Sequence, residues 1–407
     1  MQLQFNTVSE PSKAGQRWKS LFDKFWPNYR IWFLSQNTSS TPDLKTSQEA
    51  LKKYMPKMWL TYEHLCNITN ADKDPELARF LTGFQPPAYI SACAQAVIDT
   101  DEIQLVRNYD YHPDLLEGIV LLSKWNTHKV MGTSDCLIGL VDGMNDAGLC
   151  VSLTFGGRKE IGVGFGIPFI LRYVLEFCKT TAEAVKTLKS IPSHMSYNVT
   201  VVDKKGTIKT VMLAPDKEPF VTTTPFATNH QGTVDWPENA QFNQTVKRYN
   251  FIKNYLKSKN VSSSELAKAF LHPPLYNTKF KEGFGTLYTS VYQPEKMRMQ
   301  ILWPDVAIER SFDDFKEERI LIQYNLGFQA APSIYTPAQT SATPIQTAEY
   351  VAENSYRWQD AVVDSLVKSM VGNESKAKQK ELRNKLMPNG EVVWEEIANF
   401  WNQPTTY

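Results

Sequence analysis

The strongest candidate nucleophile in this sequence is a thiol in a small apolar run, Ser91-Ala92-Cys93-Ala94-Gln95-Ala96. A short distance on, Val106-Arg107-Asn108-Tyr109-Asp110-Tyr111 supplies a permanent cation and a carboxylate. A thiol of pKa about 8.5 is only a few per cent thiolate at neutral pH, so chemistry at Cys93 needs a base and a stabilising charge. Arg107 can lower the thiol pKa and position substrate. Asp110 can hold an amine or ammonium through a charge-assisted hydrogen bond. On an extended strand, positions 107 and 110 face opposite sides. The chain is therefore expected to turn after Arg107 so that both reach Cys93, with Asn108-Tyr109-Asp110 as the turn. Taken alone, the pair reads more readily as a surface salt-bridging strand end.

Other chemistries lack their residues. Gly162-Val163-Gly164-Phe165-Gly166 has neither of the phosphate-loop spacings, and its glycines imply close backbone approach in a loop. The six histidines (64, 112, 128, 194, 230 and 272) include no HExxH or paired spacing, so no metal site is expected. For His112 and His230 a hydrogen-bonded structural role is expected. No GxSxG elbow is present, which argues against a serine hydrolase of the α/β type. The five cysteines (66, 93, 136, 150 and 178) are odd in number and lack CxxC spacing, which argues for a reducing compartment over a disulfide framework.

An ordered set of motifs carries a resemblance. It comprises Ala92-Cys93, Arg107-Asn108-Tyr109-Asp110, Met144-Asn145-Asp146-Ala147-Gly148-Leu149 and Ser152-Leu153-Thr154-Phe155-Gly156-Gly157. It continues with Ser196-Tyr197-Asn198-Val199-Thr200, Ala227-Thr228-Asn229-His230 and Gly285-Thr286-Leu287-Tyr288-Thr289-Ser290-Val291-Tyr292. Together they resemble the acyl-coenzyme A:6-aminopenicillanic acid acyltransferase family (peptidase C45 type). That family is grouped with choloylglycine hydrolases and acid ceramidase among the N-terminal-nucleophile hydrolases.

The resemblance implies a four-layer αββα fold of the α+β class and a precursor cut between Ala92 and Cys93. Cleavage there frees an α-amine of pKa about 8 beside its own thiol, so one residue supplies both nucleophile and base. Asn229 matches the family's oxyanion asparagine. Asn198 is a second candidate, for the oxyanion or for orienting the site from a strand, and a bland turn or cap role stays open. Arg248 sits where the family carries a late arginine near the nucleophile; its alternative is a solvated helix face. Two positions depart from the pattern. Ala92 stands where the family usually has Gly, and its methyl group hinders the strained turn of an N-to-S acyl shift. Thr154 stands where bile-salt hydrolases carry Asn, so their substrate contacts are not carried over.

The elements that must position these residues follow from periodicity. Residues 1–88 read as helical, with Trp18, Leu21, Phe22, Phe25 and Trp26 at helical spacing. From Tyr89 the pattern becomes strands, with a hairpin across Leu137–Phe155. Helices follow over Pro168–Cys178 and Thr181–Ser190, and strands over Tyr197–Asp203 and Thr207–Leu213. Further helices cover Gln244–Lys257 and Ser263–Phe270, and a final hairpin covers Thr286–Trp303. This order predicts antiparallel sheets with segregated helices. Residues 1–92 are expected as a helical N-terminal segment, released or retained as a small subunit, and 93–329 as the catalytic domain. Residues 330–347, rich in Pro, Thr and Ala, read as a linker, and 348–407 as a helical C-terminal extension.

Composition sets the outer bounds. Lys plus Arg (44) balances Asp plus Glu (43), so no global field draws the protein to nucleic acid or anionic membrane. No basic segment followed by an apolar run opens the chain, and no apolar stretch approaches the roughly 20 residues of a membrane span. The expected location is cytoplasmic. The expected partner is a small amide or acyl substrate, with no cofactor. The leading reading is a self-cleaving cysteine amidohydrolase or acyltransferase that cuts a linear amide through a Cys93 thioester. Its rival is an unprocessed, catalytically silent relative serving as a binding or interaction module. A third reading, homo-oligomerisation through the C-terminal helices, is compatible with either.

Overall fold

The computed structural model describes residues 1–35, 37–38, 40–258, 261–324, 349–372 and 375–402. The expected linker, 330–347, lies outside them. The N-terminal segment begins with strand β1 (Gln2–Glu10) and continues with helices α1 (Gln16–Ser35), α2 (Leu44–Tyr54), α3 (Trp59–Thr69) and α4 (Pro75–Phe80). Next come β2 (Ala92–Asp99), β3 (Ile103–Tyr111), β4 (Ile119–Ser123), β5 (Val130–Asp135), β6 (Gly139–Asn145) and β7 (Leu149–Phe155). Helices α5 (Ile167–Phe177) and α6 (Thr181–Ser190) precede β8 (Tyr197–Asp203), β9 (Ile208–Leu213), β10 (Phe220–Thr222) and β11 (Phe226–Ala227). Then follow α7 (Pro237–Asn243), α8 (Thr245–Lys257) and α9 (Ser263–Phe270), and strands β12 (Gly285–Gln293), β13 (Arg298–Leu302), β14 (Ala307–Ser311) and β15 (Glu318–Gln323). The chain closes with α10 (Glu349–Val371), α11 (Lys376–Leu386) and α12 (Trp394–Asn402).

Two sheets result. Nine strands run in the order β10-β9-β8-β7-β6-β5-β4-β1-β15, and six in the order β11-β2-β3-β12-β13-β14. The α5–α6 pair packs on the outer face of the larger sheet, and α8–α9 on the outer face of the smaller. Three apolar cores fill the gaps between these four layers. Between the sheets, Cys93, Val97, Leu105 and Tyr109 meet Val120, Met131, Met144 and Cys150. Outside the smaller sheet, Ala94, Ala96 and Val106 meet Ile252, Leu266 and Phe270 of the helices. Burying each large aliphatic or aromatic side chain contributes about 1.5–3 kcal/mol, so the alternation along β2 and β3 locks their register.

The N-terminal segment is helical from Gln16 onward, but its first residues form a strand. β1 pairs antiparallel with β15 and parallel with β4, burying Phe5 and Thr7. The hairpin ending near Trp303 is not the last one either: β14 extends the smaller sheet and β15 the larger. Along α1, Trp18, Phe22, Tyr29, Trp32 and Phe33 form the buried stripe. Among the described residues no helix is long and apolar enough to cross a membrane.

Candidate active site

Cys93 lies second on β2, with no exposed surface. β2 and β3 are antiparallel, pairing Ala92 with Asp110, Cys93 with Tyr109 and Gln95 with Arg107. Strand alternation therefore puts Cys93 and Arg107 on the face between the sheets. Arg107 Nη2 donates to Cys93 Sγ at 3.0 Å. Its Nη1 donates to Asp142 Oδ2 at 2.6 Å, and its Nε to the Leu153 carbonyl at 2.9 Å. Asp142 is itself saturated, accepting from Thr133, Ser290 and the Tyr292 hydroxyl at 2.6, 3.1 and 2.5 Å. The guanidinium is thus held in one orientation by acceptors from β6 and β7.

The expected turn after Arg107 is absent, because β3 runs extended from Ile103 to Tyr111. Asp110 therefore faces the helix side and is linked to Cys93 through intermediaries. Arg248 of α8 donates to Asp110 Oδ2 at 2.7 Å and to Asn229 Oδ1 at 2.6 Å. Asn229 Oδ1 also accepts the backbone N–H of Cys93 at 3.1 Å. Thr286 donates to the other Asp110 oxygen at 2.7 Å. Arg248 is buried, which removes the solvated-helix-face alternative.

The oxyanion expectation for Asn229 meets a different geometry in the uncleaved chain. The Asn229 amide presents its oxygen to Cys93, while Nδ2 is spent on the Phe155 carbonyl at 3.1 Å. Flipping the amide would set its NH2 against the Arg248 donor, so the assignment follows from the network. Asn198, unlike Asn229, bonds the surrounding loop and not Cys93. Its Nδ2 donates to Thr154 Oγ1 and to the carbonyls of Thr228 and His230, at 3.0, 2.9 and 3.2 Å. Asn198 and Thr154 thereby hold the loop that carries Asn229. His230 is structural in its contacts, bonding Thr245 Oγ1 at 2.9 Å. The Gly162–Gly166 loop makes the close approach its composition implied: a Cβ on Gly164 would lie 2.5 Å from the Ser193 carbonyl carbon.

Burial is the largest influence on the Cys93 thiol and pushes its pKa up, while the Arg107 cation pulls it down. Burial also pushes the Asp110 carboxyl up, and Arg248 restrains it. Arg107 loses by burial but gains more from the Cys93 and Asp142 charges, which keep it a cation.

Sequence reading missed Asp142, although a lone acid in the buried strand Gly139–Asn145 is a usable signal. It also missed a second polar cluster. The Tyr29 hydroxyl lies 2.6 Å from Glu117 Oε1 and 3.1 Å from Asp135 Oδ1. Tyr109, the cross-strand partner of Cys93, donates to Asp135 Oδ2 at 3.2 Å. Burial, then the Asp135 charge, pushes the Glu117 carboxyl up to about 7. No group of three or more metal-ligating side chains is placed to hold an ion among the described residues.

A family model described as acyl-coenzyme A:6-aminopenicillanic acid acyl-transferase matches residues 99–307, a stretch beginning just beyond Cys93. No curated protein matches the chain. Among solved structures, a mutant conjugated bile acid hydrolase from Clostridium perfringens is similar at 13% identity and TM-score 0.40, over 60% of this chain and 100% of that one. Penicillin V acylase from Agrobacterium tumefaciens is similar at 13% identity and TM-score 0.37, over 62% and 98%. The Caenorhabditis elegans ortholog of N-acylethanolamine-hydrolyzing acid amidase is similar at 17% identity and TM-score 0.38, over 57% and 100%.

Proposed function

Because the chain belongs to the acyl-coenzyme A:6-aminopenicillanic acid acyl-transferase family, whose members make or break amide bonds, we propose that it is a precursor that cuts itself before Cys93 and then turns over a linear amide through a thioester. One observation carries this reading: Cys93 is gripped at both functional ends, Sγ by Arg107 at 3.0 Å and the backbone nitrogen by Asn229 at 3.1 Å. A structural cysteine needs neither contact.

In self-cleavage, Sγ attacks the Ala92 carbonyl carbon, the Ala92–Cys93 C–N bond breaks, and the thiol proton passes to the Cys93 nitrogen. Water then hydrolyses the resulting thioester, leaving a carboxylate at Ala92 and a free thiol and α-amine at Cys93. In turnover, that amine takes the thiol proton and the thiolate attacks the substrate carbonyl. The leaving amine recovers the proton, and water or a second amine releases the acyl group. Arg107 stabilises the thiolate. Asn229 Oδ1 holds the new ammonium, with Asp110 behind it through Arg248. Arg248 Nε is a buried donor without a partner among the described residues, available to a carbonyl oxygen becoming negative. The segment 1–92 stays bound after the cut as a small subunit.

The test is the intact mass of wild type and Cys93→Ala under denaturing conditions. Fragments 1–92 and 93–407 in the wild type alone are the expected result. A persistent full-length wild-type species favours the silent-module reading, which the complete burial of Cys93 and the presence of Ala92 before it support.

A further inference from the structure

Strand alternation turns Cys93, Gln95 and Val97 of β2 into the gap between the sheets. Gln95 lies between two apolar neighbours on that face and has no exposed surface. Stability alone favours an aliphatic side chain at such a position, because a buried amide gives up its bonds to water. The Gln95 amide recovers them entirely from the opposite sheet. Its Nε2 donates to the Asn198 carbonyl at 3.1 Å and to Thr200 Oγ1 at 2.9 Å, both on β8. Its Oε1 accepts from Ser152 Oγ of β7 at 2.5 Å. A carbonyl can only accept, so Asn198 fixes which way the amide points. Thr200 passes its own proton to Thr210 Oγ1 at 2.9 Å, since Thr210 donates to the Thr224 carbonyl at 2.8 Å.

These bonds close two rings through Cys93. The first passes through its nitrogen. The Cys93 N–H meets Asn229 Oδ1, the loop carrying Asn229 is held by Asn198 Nδ2, and the Asn198 carbonyl returns to Gln95 on β2. The second passes through its sulfur. Sγ meets Arg107, Arg107 Nε meets the Leu153 carbonyl, and the adjacent Ser152 returns to Gln95. Cys93 and Gln95 are common to both rings, and Gln95 is also the cross-strand partner of Arg107.

Resting on the reading of Cys93 as nucleophile, we propose that Gln95 is a positioning residue. It fixes β7 and β8 against β2 so that Arg107 meets the thiol while Asn229 meets the nitrogen. Cleavage and turnover each move a proton between the sulfur and the nitrogen of Cys93, so both partners must be in place together. A buried, fully satisfied amide supplies that registration where an aliphatic side chain would let the sheets slide. A displacement of about 1 Å at a reacting group costs on the order of a hundredfold in rate, so a residue that never touches substrate can control the chemistry.

The test uses the full chain as wild type and as Gln95→Met, which keeps the reach of the side chain and removes all three bonds. The half-time of self-cleavage, followed by intact mass, should lengthen at least tenfold. In the cleaved protein, the pH midpoint for alkylation of Cys93 by iodoacetamide should rise by about half a unit or more, because Arg107 is no longer held against Sγ. An amide that serves stability alone would lower the melting temperature and leave that midpoint in place. Thr200→Val keeps its shape and removes one of the bonds. It decides the matter if Gln95→Met does not fold or does not cut, with a half-time at least threefold longer and a midpoint moved the same way. In a folded variant, either a half-time within twofold of wild type or an unmoved midpoint overturns the role of Gln95 and leaves the nucleophile reading intact. A wild type that stays full-length removes the nucleophile reading itself and this inference with it.

Discussion

The Arg107 guanidinium and the Cys93 sulfur stand 3.0 Å apart, and neither residue has exposed surface. Bulk water therefore screens the pair little, and the cation acts on the thiol more strongly than it would at the surface. Arg107→Lys keeps the charge but cannot satisfy Sγ and Asp142 at once, since those contacts use two separate nitrogens. In the cleaved protein, the pH midpoint for alkylation of Cys93 by iodoacetamide should rise by about one unit or more, and turnover at neutral pH should fall at least tenfold. An unmoved midpoint would reduce Arg107 to a packing role.

The Tyr29 hydroxyl has a single proton for Glu117 and Asp135, so the two buried carboxyls share one donor and their like charges favour a proton on one of them. Glu117 is the candidate, with its pKa pushed up to about 7 from 4.5 by burial and by Asp135. A carboxyl raised on folding contributes stability that is fully present below its unfolded pKa and is lost as pH rises through its folded one. The protein should thus lose stability between about pH 4.5 and 7, by about 3 kcal/mol at most. Glu117→Gln mimics the protonated form. Its melting temperature should vary less over that window, and a slope equal to wild type would count against this assignment.

Ala92 is buried against Phe242 and Phe284 and pairs with Asp110 across the strands. Ala92→Gly removes the methyl group that crowds the acyl shift, at a stability cost of about 1 kcal/mol. The half-time for appearance of the two fragments, followed by mass in a time course, should shorten. A slower cut would place the rate limit elsewhere, most simply in access of water to the thioester.

What the sequence made legible was whatever has a local cause. The Thr180 side chain caps α6 by accepting the Glu183 N–H, and Ser262 and Glu265 form a reciprocal capping box on α9; both helices lie where the pattern put them. β1 escaped notice because both its partners lie far along the chain, with Asn6 opposite Ile119 on β4 and Phe5 opposite Ile320 on β15. At the site, Cys93 and its cation were readable from type and spacing. The relay from Asp110 through Arg248 to Asn229 was not, because it joins a strand, a helix and a loop far apart in the chain. The strand geometry that puts 107 and 110 on opposite faces was right; the inference of a turn failed because Asp110 is linked to the Cys93 nitrogen through Arg248 and Asn229.

After cleavage the two fragments should travel together. The small fragment contributes β1 to the larger sheet, and Trp18, Phe22, Trp32 and Phe33 to the main core. Gel filtration without denaturant should give one peak containing both, separating only in guanidinium or urea. Fragments that part under native conditions would contradict this.

The position of β1 between β4 and β15 also fixes an order of events. If the cut needs the assembled site, and the assembled sheet needs the first ten residues, folding must come before cutting. The pieces are then equal in number from birth, having been one molecule, and neither half made separately inherits that history. A gene split at codon 93 would ask two chains to find by collision a pairing that the intact chain reaches by tether alone.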